Sequence, residues 1–418
     1  MRANQQGGPA VLVIGGGFAG LSALQVLGRT SARVTLVDRN IYSTFQPLLY
    51  QVATAGLTGA DVAYPLWSAT GRRSARYRKG ELAGLDLERR VATLAAGEEL
   101  SYDYLIIATG VSAAFFGVAG AAEHSLSLYT RRDAITLRNQ LMDELEQRNE
   151  GLAHPELDVT VVGGGATGVE LAGTLAELRN FALHSVYPQV DRSMFVVRLI
   201  EMGPVLLAPY NDKLRQYTRD QLVKRGVDVR LNTAIKEVRQ SSVLLGDGSE
   251  LRSDITVWAA GIAGPQEDWT AGLPRGKGGR IEVGPDLRVS GQDRVFAVGD
   301  ISINPKDPVA QLAQPALQQG RHAAQQIARL TAGRATMAFR YHDKGTMATI
   351  GRRSAVVQLR SGLRLRGTLA WLAWLGLHLI YLLGNRNRVV TLVNLSWRYL
   401  TWSRGGGVIV GDDVPGQE

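Results

Sequence analysis

Residues 10–27 read AVLVIGGGFAGLSALQVL. The run from Val11 to Ile14 is short and continuously apolar, as in a parallel strand buried on both faces. Gly15, Gly17 and Gly20 follow in G-x-G-x-x-G spacing, and then a pattern of helical period. In such a turn Gly15 permits the tight bend, Gly17 lets backbone approach a pyrophosphate, and Gly20 lets the helix close on the strand. Free N–H groups and the positive dipole end at the helix start, around Phe18 and Ala19, suit phosphate. The next strand, RVTLVD, ends at Asp38, whose carboxylate can accept hydrogen bonds from a ribose diol; Arg39 follows it.

The pattern then repeats. Residues 157–178, LDVTVVGGGATGVELAGTLAEL, carry Gly163, Gly165 and Gly168 after another apolar strand. The strand MFVVRLIE ends at Glu201, after a longer connection, FALHSVYPQVD, that reads as an extended loop. Acids at both strand ends accept a free ribose hydroxyl and repel a 2′-phosphate, which favours NADH over NADPH. Arg198 is the nearby residue that could reverse this preference. Two further strands end in small residues, YDYLIIATG at Thr109 and Gly110 and ITVWAAG at Ala260 and Gly261, while DRVFAVGD ends at Asp300. Their matching positions indicate a duplicated architecture. The expected fold class is α/β, with two Rossmann-like dinucleotide-binding domains.

Composition narrows the chemistry. The chain of 418 residues has no cysteine, which excludes disulfides, iron–sulfur clusters and redox thiols, and no metal site is expected. The formal charge of +9 is local. Between Lys344 and Gly411 there is no acid but ten cations, and setting these aside leaves 37 basic against 38 acidic residues. Such asymmetry points to a polyanionic partner, nucleic acid or an anionic lipid face. The N-terminal apolar stretch runs straight into the glycine turn, so a strand explains it better than an export signal.

In their order, GGGFAGL, ATG, GGGATGVE and VFAVGD resemble the two-dinucleotide-binding flavoproteins. Three further segments, FQPLLYQVATAGL (residues 45–57), AQPALQQG (313–320) and YHDKGTMATIGRRSAV (341–356), resemble the type II NADH:quinone oxidoreductases, single-subunit respiratory dehydrogenases that do not pump protons. That resemblance implies FAD on Gly15, Gly17, Gly20 and Asp38, with Gln46, Thr109, Gly110, Asp300 and Gln314 nearer its ring and ribityl chain. It implies NADH on Gly163, Gly165, Gly168 and Glu201, with Ala260 and Gly261 toward the nicotinamide. The implied acceptor is a membrane quinone, ubiquinone or menaquinone, met at the cytoplasmic face of the inner membrane. The expected domains are FAD-binding at 8–117 and 284–335, NADH-binding at 118–283, and a membrane-binding part at 336–418.

Four residues carry competing readings. Glu170 is either a first-turn acid favoured by the helix dipole or, by resemblance, a group beside nicotinamide or quinone that relays protons. Gln314 and Gln318, spaced i, i+4 around Pro315, are either a solvated face or amide partners for flavin or quinone carbonyls. Lys344 is either a turn residue or a neighbour of the quinone pocket.

Residues 367–385, GTLAWLAWLGLHLIYLLGN, hold no formal charge across nineteen positions. A second pattern, Leu392, Leu395, Tyr399 and Trp402, is interleaved with Arg388, Arg398 and Arg404. Together with Trp371, Trp374 and Trp397, these suggest amphipathic helices lying in an anionic lipid surface. A true span and an ordinary core or homodimer helix are the alternatives. Bulky aliphatics among the cations argue against nucleic acid. The rival function is a soluble NADH-dependent reductase of ferredoxin or rubredoxin type, whose basic tail docks an acidic partner.

Overall fold

A computed structural model of the protein describes residues 7–71, 73 and 75–401. Contacts divide the chain into two compact units. One runs through Thr44 and continues with Tyr64–Ser112 and Ile262–Asp343; the other comprises Phe45–Ala63, Ala113–Gly261 and the chain from Lys344 onward.

The first unit is built on a five-stranded parallel sheet in the order Val295–Ala297, Tyr104–Ile107, Ala10–Ile14, Arg33–Asp38, Arg76–Lys79. The motif strand is central, which is why Val11 to Ile14 are all buried and read as one apolar run. Its helix, Phe18–Leu27, packs along the late helix Ala313–Thr331. Gly320 makes this approach: a Cβ there would lie 2.0 Å from the Ala19 carbonyl oxygen.

The second unit repeats the plan. Its parallel sheet runs Leu126–Ser127, Ile255–Trp258, Leu157–Val162, Phe195–Ile200, Asp228–Arg230, again with the motif strand central. Even single hydrogen bonds recur. Gly15 N–H donates to Val37 O and Gly163 N–H to Ile200 O, both at 2.8 Å. Each unit also carries a three-stranded antiparallel sheet, Leu82–Asp86 with its two neighbours in one and Ile235–Val238 with its two in the other.

Two segments group differently from the expected domain boundaries. Residues 45–63 belong with the second unit, where the short helix Leu49–Ala53 packs against the helices Arg131–Asn149 and Ala166–Glu177. The chain from Lys344 onward joins the same unit, because Thr346–Gly351, the first of three antiparallel strands with Ser354–Gln358 and Arg364–Arg366, lies on the Ala166–Glu177 helix.

The tail forms two helices, Thr368–Tyr381 and Asn385–Thr401, separated at Gly384 with φ +85°. Among the described residues no helix is long and apolar enough to cross a membrane, so the spanning alternative fails. Fourteen residues of helix reach about 21 Å, short of a hydrocarbon core of about 30 Å. The expected stripe on the second helix is also corrected. Leu395 is buried at 2% exposure while Leu392, three residues before it, is 46% exposed, so the two do not form one uniformly exposed stripe. The side chains of Arg398 and Tyr399, and Trp402 and Arg404 altogether, lie outside the described residues.

Candidate functional site

In the first unit each glycine of the turn has a separate reason. Gly15 sits at φ +105°, and a Cβ there would lie 2.2 Å from the Ala108 carbonyl oxygen. A Cβ on Gly20 would meet Gly15 O at 1.9 Å. Gly17 is different. Its backbone, φ −80° and ψ −163°, suits any residue, and no protein atom lies within 4 Å of where its Cβ would stand. No neighbouring protein atom requires glycine here, and the bare backbone leaves room for a ligand to approach. The helix behind it has no side-chain cap, so its first-turn N–H groups, at half-buried Phe18 and buried Ala19, are not satisfied by a capping side chain.

Asp38 closes the cradle. Oδ2 accepts Gly16 N–H at 2.6 Å and Oδ1 accepts Asn40 N–H at 2.7 Å. Burial raises its carboxyl above the usual range, opposed by these two N–H groups and by Arg39. Arg39 itself is exposed and pairs with Glu81 at 3.5 Å. Thr109 is exposed at its strand end and Gly110 turns the chain at φ +75°. Asp300 lies in the turn Gly299–Ile301, held by groups that the sequence did not single out. Gly299 N–H donates to Gln319 Oε1 at 2.7 Å, and the Asp300 carbonyl accepts from Arg280 Nε at 3.0 Å and Gln311 Nε2 at 3.1 Å. Gln314 is half-buried in the first turn of the Ala313–Thr331 helix.

The second unit reproduces this cradle. Gly163 has φ +113°, a Cβ on Gly168 would meet Gly163 O at 1.9 Å, and Gly165, at φ −72°, has no protein atom within 4 Å of its would-be Cβ. Glu201 accepts Gly164 N–H through Oε2 and Gly203 N–H through Oε1, each at 2.6 Å. Arg198 does not approach this carboxylate's role: it pairs with Asp158 at 2.6 Å and Asp228 at 3.6 Å. Ala260 is exposed, and Gly261 is covered by Phe116, whose Cζ would lie 2.2 Å from a Cβ at 261. Phe116, 69% exposed at φ +53°, gave no sequence signal because only its backbone conformation and neighbour make it unusual.

Glu170 is not a first-turn acid. The Ala166–Glu177 helix has no acid in its first turn; Glu170 falls in the second, buried, with Oε1 accepting Thr349 N–H at 3.2 Å. Burial raises its carboxyl to about 8, so it holds its proton at neutral pH. Gln318 shares a helix with Gln314, but both ends of its amide engage His342: Nε2 donates to the carbonyl at 2.9 Å and Oε1 accepts the N–H at 3.0 Å. Lys344 is exposed and lies 3.5 Å from the Tyr381 hydroxyl. Gln46 belongs to the second unit and donates to the Tyr129 carbonyl at 3.4 Å. A surface cavity of about 510 Å³ lined by Pro285, Arg288 and Thr336 includes none of these residues.

Two cradles of one design, each with an acid at the second strand end, define a dinucleotide-dependent oxidoreductase. A family model described as pyridine nucleotide-disulphide oxidoreductase matches residues 9–320. A curated relative from Mycobacterium tuberculosis, the type II NADH:quinone oxidoreductase NdhA, is 36% identical over 417 residues, covering 94% of this chain and 88% of its own. The chain belongs to the pyridine nucleotide-disulphide oxidoreductase family and, within it, to the type II NADH:quinone oxidoreductases. A solved structure of NDH2 from Plasmodium falciparum in complex with NADH shares the fold at TM-score 0.86 and 19% identity, covering 96% of this chain and 100% of that one. The sulfide:quinone oxidoreductase of Aquifex aeolicus shares it at TM-score 0.77 and 19% identity, covering 94% of this chain and 96% of that one. With no cysteine, this chain keeps that fold without thiol chemistry.

Proposed function

We propose that this protein oxidises NADH and reduces a membrane quinone, with FAD as its resident cofactor, from the surface of an anionic bilayer. The observation that carries the reading is the pair Gly17 and Gly165. Both lack a side chain where the protein has open space, at matching positions of two like cradles, as backbone approached by a dinucleotide would. FAD, when bound, supplies the two-electron carrier between NADH and quinone.

The chain's own residues bind, orient and handle protons. The cradle at Gly15, Gly17 and Gly20, with Asp38 toward a ribose, suits the FAD pyrophosphate; Thr109, Gly110 and Asp300 extend it. Gly163, Gly165 and Gly168 with Glu201 suit NADH, and Arg198 is engaged with Asp158 and Asp228. Ala260, Gly261 and the covering Phe116 flank the nicotinamide end. The overall reaction, NADH and quinone to NAD⁺ and quinol, consumes one proton from the medium. Glu170 holds a proton at neutral pH and is our candidate for passing it on; Gln314 and Gln318 of the first unit, and Gln46 and Lys344 of the second, are each candidates for contact with flavin or quinone.

The tail supplies the surface. Leu369, Leu372 and Ile380 on its first helix and Val389, Val393 and Trp397 on its second are exposed. The second helix turns polar groups inward instead: Asn387 Nδ2 donates to the Ala63 carbonyl at 2.7 Å and Asn394 Nδ2 to Asp61 at 3.2 Å. A helix that hides amides and displays aliphatics is arranged for lipid rather than water. The test is NADH oxidation with a short-chain quinone and in native membranes, comparing the full chain with one truncated before Leu363. Purified protein that retains no FAD, or a truncated form as fast as the intact one in membranes, would sink the corresponding half of the reading.

A further inference from the structure

The surroundings of Glu170 contain a buried cluster with no part in the cradles. Gly173 lies one turn along the same helix face, and a Cβ there would come within 2.1 Å of the Ile350 carbonyl oxygen, so the helix lies directly on the Thr346–Gly351 strand. That approach carries the Glu170 carboxyl to the Thr349 N–H. The first tail helix packs on the same antiparallel strands. From it, Trp374 is 1% exposed; its indole N–H is buried without a well-formed hydrogen bond, and the indole lies near enough to favour the charged Glu170 carboxyl.

His378 follows one turn later. Its ring stacks on Trp374, with centroids 4.1 Å apart and planes 24° from parallel, and Nδ1 lies 2.7 Å from the Trp374 carbonyl oxygen. A carbonyl only accepts, so Nδ1 carries the proton of a neutral imidazole. Burial keeps it neutral, drawing its pKa down to about 4. Phe45 meets the imidazole edge-on at 6.1 Å, and Tyr50 tilts against the indole at 6.2 Å. The Tyr210 hydroxyl, 3.0 Å from Thr346 Oγ1, stays protonated because burial, and then Glu170 itself, raise it. Glu177, two turns along the helix, accepts the Arg352 N–H, and Lys344 reaches Tyr381.

We propose that Trp374 and His378 are positioning residues for Glu170: the indole N–H is aimed at its carboxyl, and the stacked, tethered imidazole fixes that aim. The tail helix thereby sets the pH at which Glu170 releases its proton. The catalytic consequence rests on Glu170 being the proton-holding group of the reaction, and the two ideas fail separately.

The holoenzyme is titrated by infrared spectroscopy, following the protonated carboxyl stretch that Glu170→Gln abolishes. Trp374→Phe keeps a ring but removes a donor to the charged form, so the midpoint should move up by about half to one pH unit. His378→Phe should shift it in the same direction by less, and His378→Gln, which retains an amide donor, should return it toward wild type. A merely structural role would lower the melting temperature and leave the midpoint alone. If Trp374→Phe does not fold, the two His378 variants decide. An unmoved midpoint in folded variants, or no band that Glu170→Gln removes, overturns the assignment. If the midpoint moves while the pH profile of kcat stays put, the positioning role stands and Glu170 leaves the proton path.

Discussion

At the scale of single residues, the glycines of the two turns divide into those the fold needs and those that face open space. Gly15→Ala and Gly163→Ala force a left-handed backbone onto an L side chain against a neighbouring carbonyl, so both should lower thermal stability. Gly165→Val meets only open space; it should melt like wild type, keep its flavin, and lose NADH affinity by about tenfold or more, measured by titration. Glu170 gives a second prediction, with a definite sign. Its folded pKa of about 8 lies above the 4.5 of a free glutamate, so the folded chain binds the extra proton and stability falls as pH rises between those values. Glu170→Gln removes that decline. Its melting temperature should approach wild type in mild acid and exceed it by several degrees at about pH 8. His378 has the opposite sign: with its pKa lowered from 6.5 to about 4, it weakens the fold as pH falls through that window.

At the scale of elements, period and composition were readable but direction was not. The motif strands and helices follow from continuous apolar runs ending in glycine, because a central parallel strand hides both faces. The Ala313–Thr331 helix was likewise legible from AQPALQQG, but the engagement of Gln318 with His342 was not, since that bond joins residues that only folding brings together. The second tail helix was misread as one apolar stripe, because Leu392 and Leu395 lie three apart yet face opposite environments. Its inward amides make a prediction: Asn387→Ala strands the Ala63 carbonyl and should cost about 1–3 kcal/mol by denaturant unfolding. Val389→Glu with Val393→Glu, both on the exposed face, should leave stability unchanged and weaken vesicle binding by about tenfold per side chain.

For the whole molecule, charge placement matters more than net charge. The ten cations between Lys344 and Gly411, a segment that holds no acid, are suited to a lipid surface. Each arginine near an anionic bilayer contributes about 1 kcal/mol, so Arg364→Gln with Arg386→Gln should weaken binding to anionic vesicles by tens of fold and flatten its salt dependence. Neutral vesicles should scarcely distinguish the variant from wild type. A basic tail docking an acidic protein would show the same salt sensitivity without any vesicle, which separates the rival reductase. Glu201→Ala should narrow the preference for NADH over NADPH, read as the ratio of their kcat/KM values.

The sequence by itself determined the two nucleotide folds, the acids at their strand ends, the absence of thiol chemistry and the basic tail. Those features repeat locally, within a strand, a turn and a helix, so short-range pattern carries them. Only the tertiary structure decided that Glu170 is buried against Thr349 and Trp374, that Arg280 and Gln319 hold the Asp300 turn, and that Phe116 covers Gly261. Each of those joins residues far apart in the chain. Burial and the direction of a side chain are properties of what packs against it, and no local spacing encodes that.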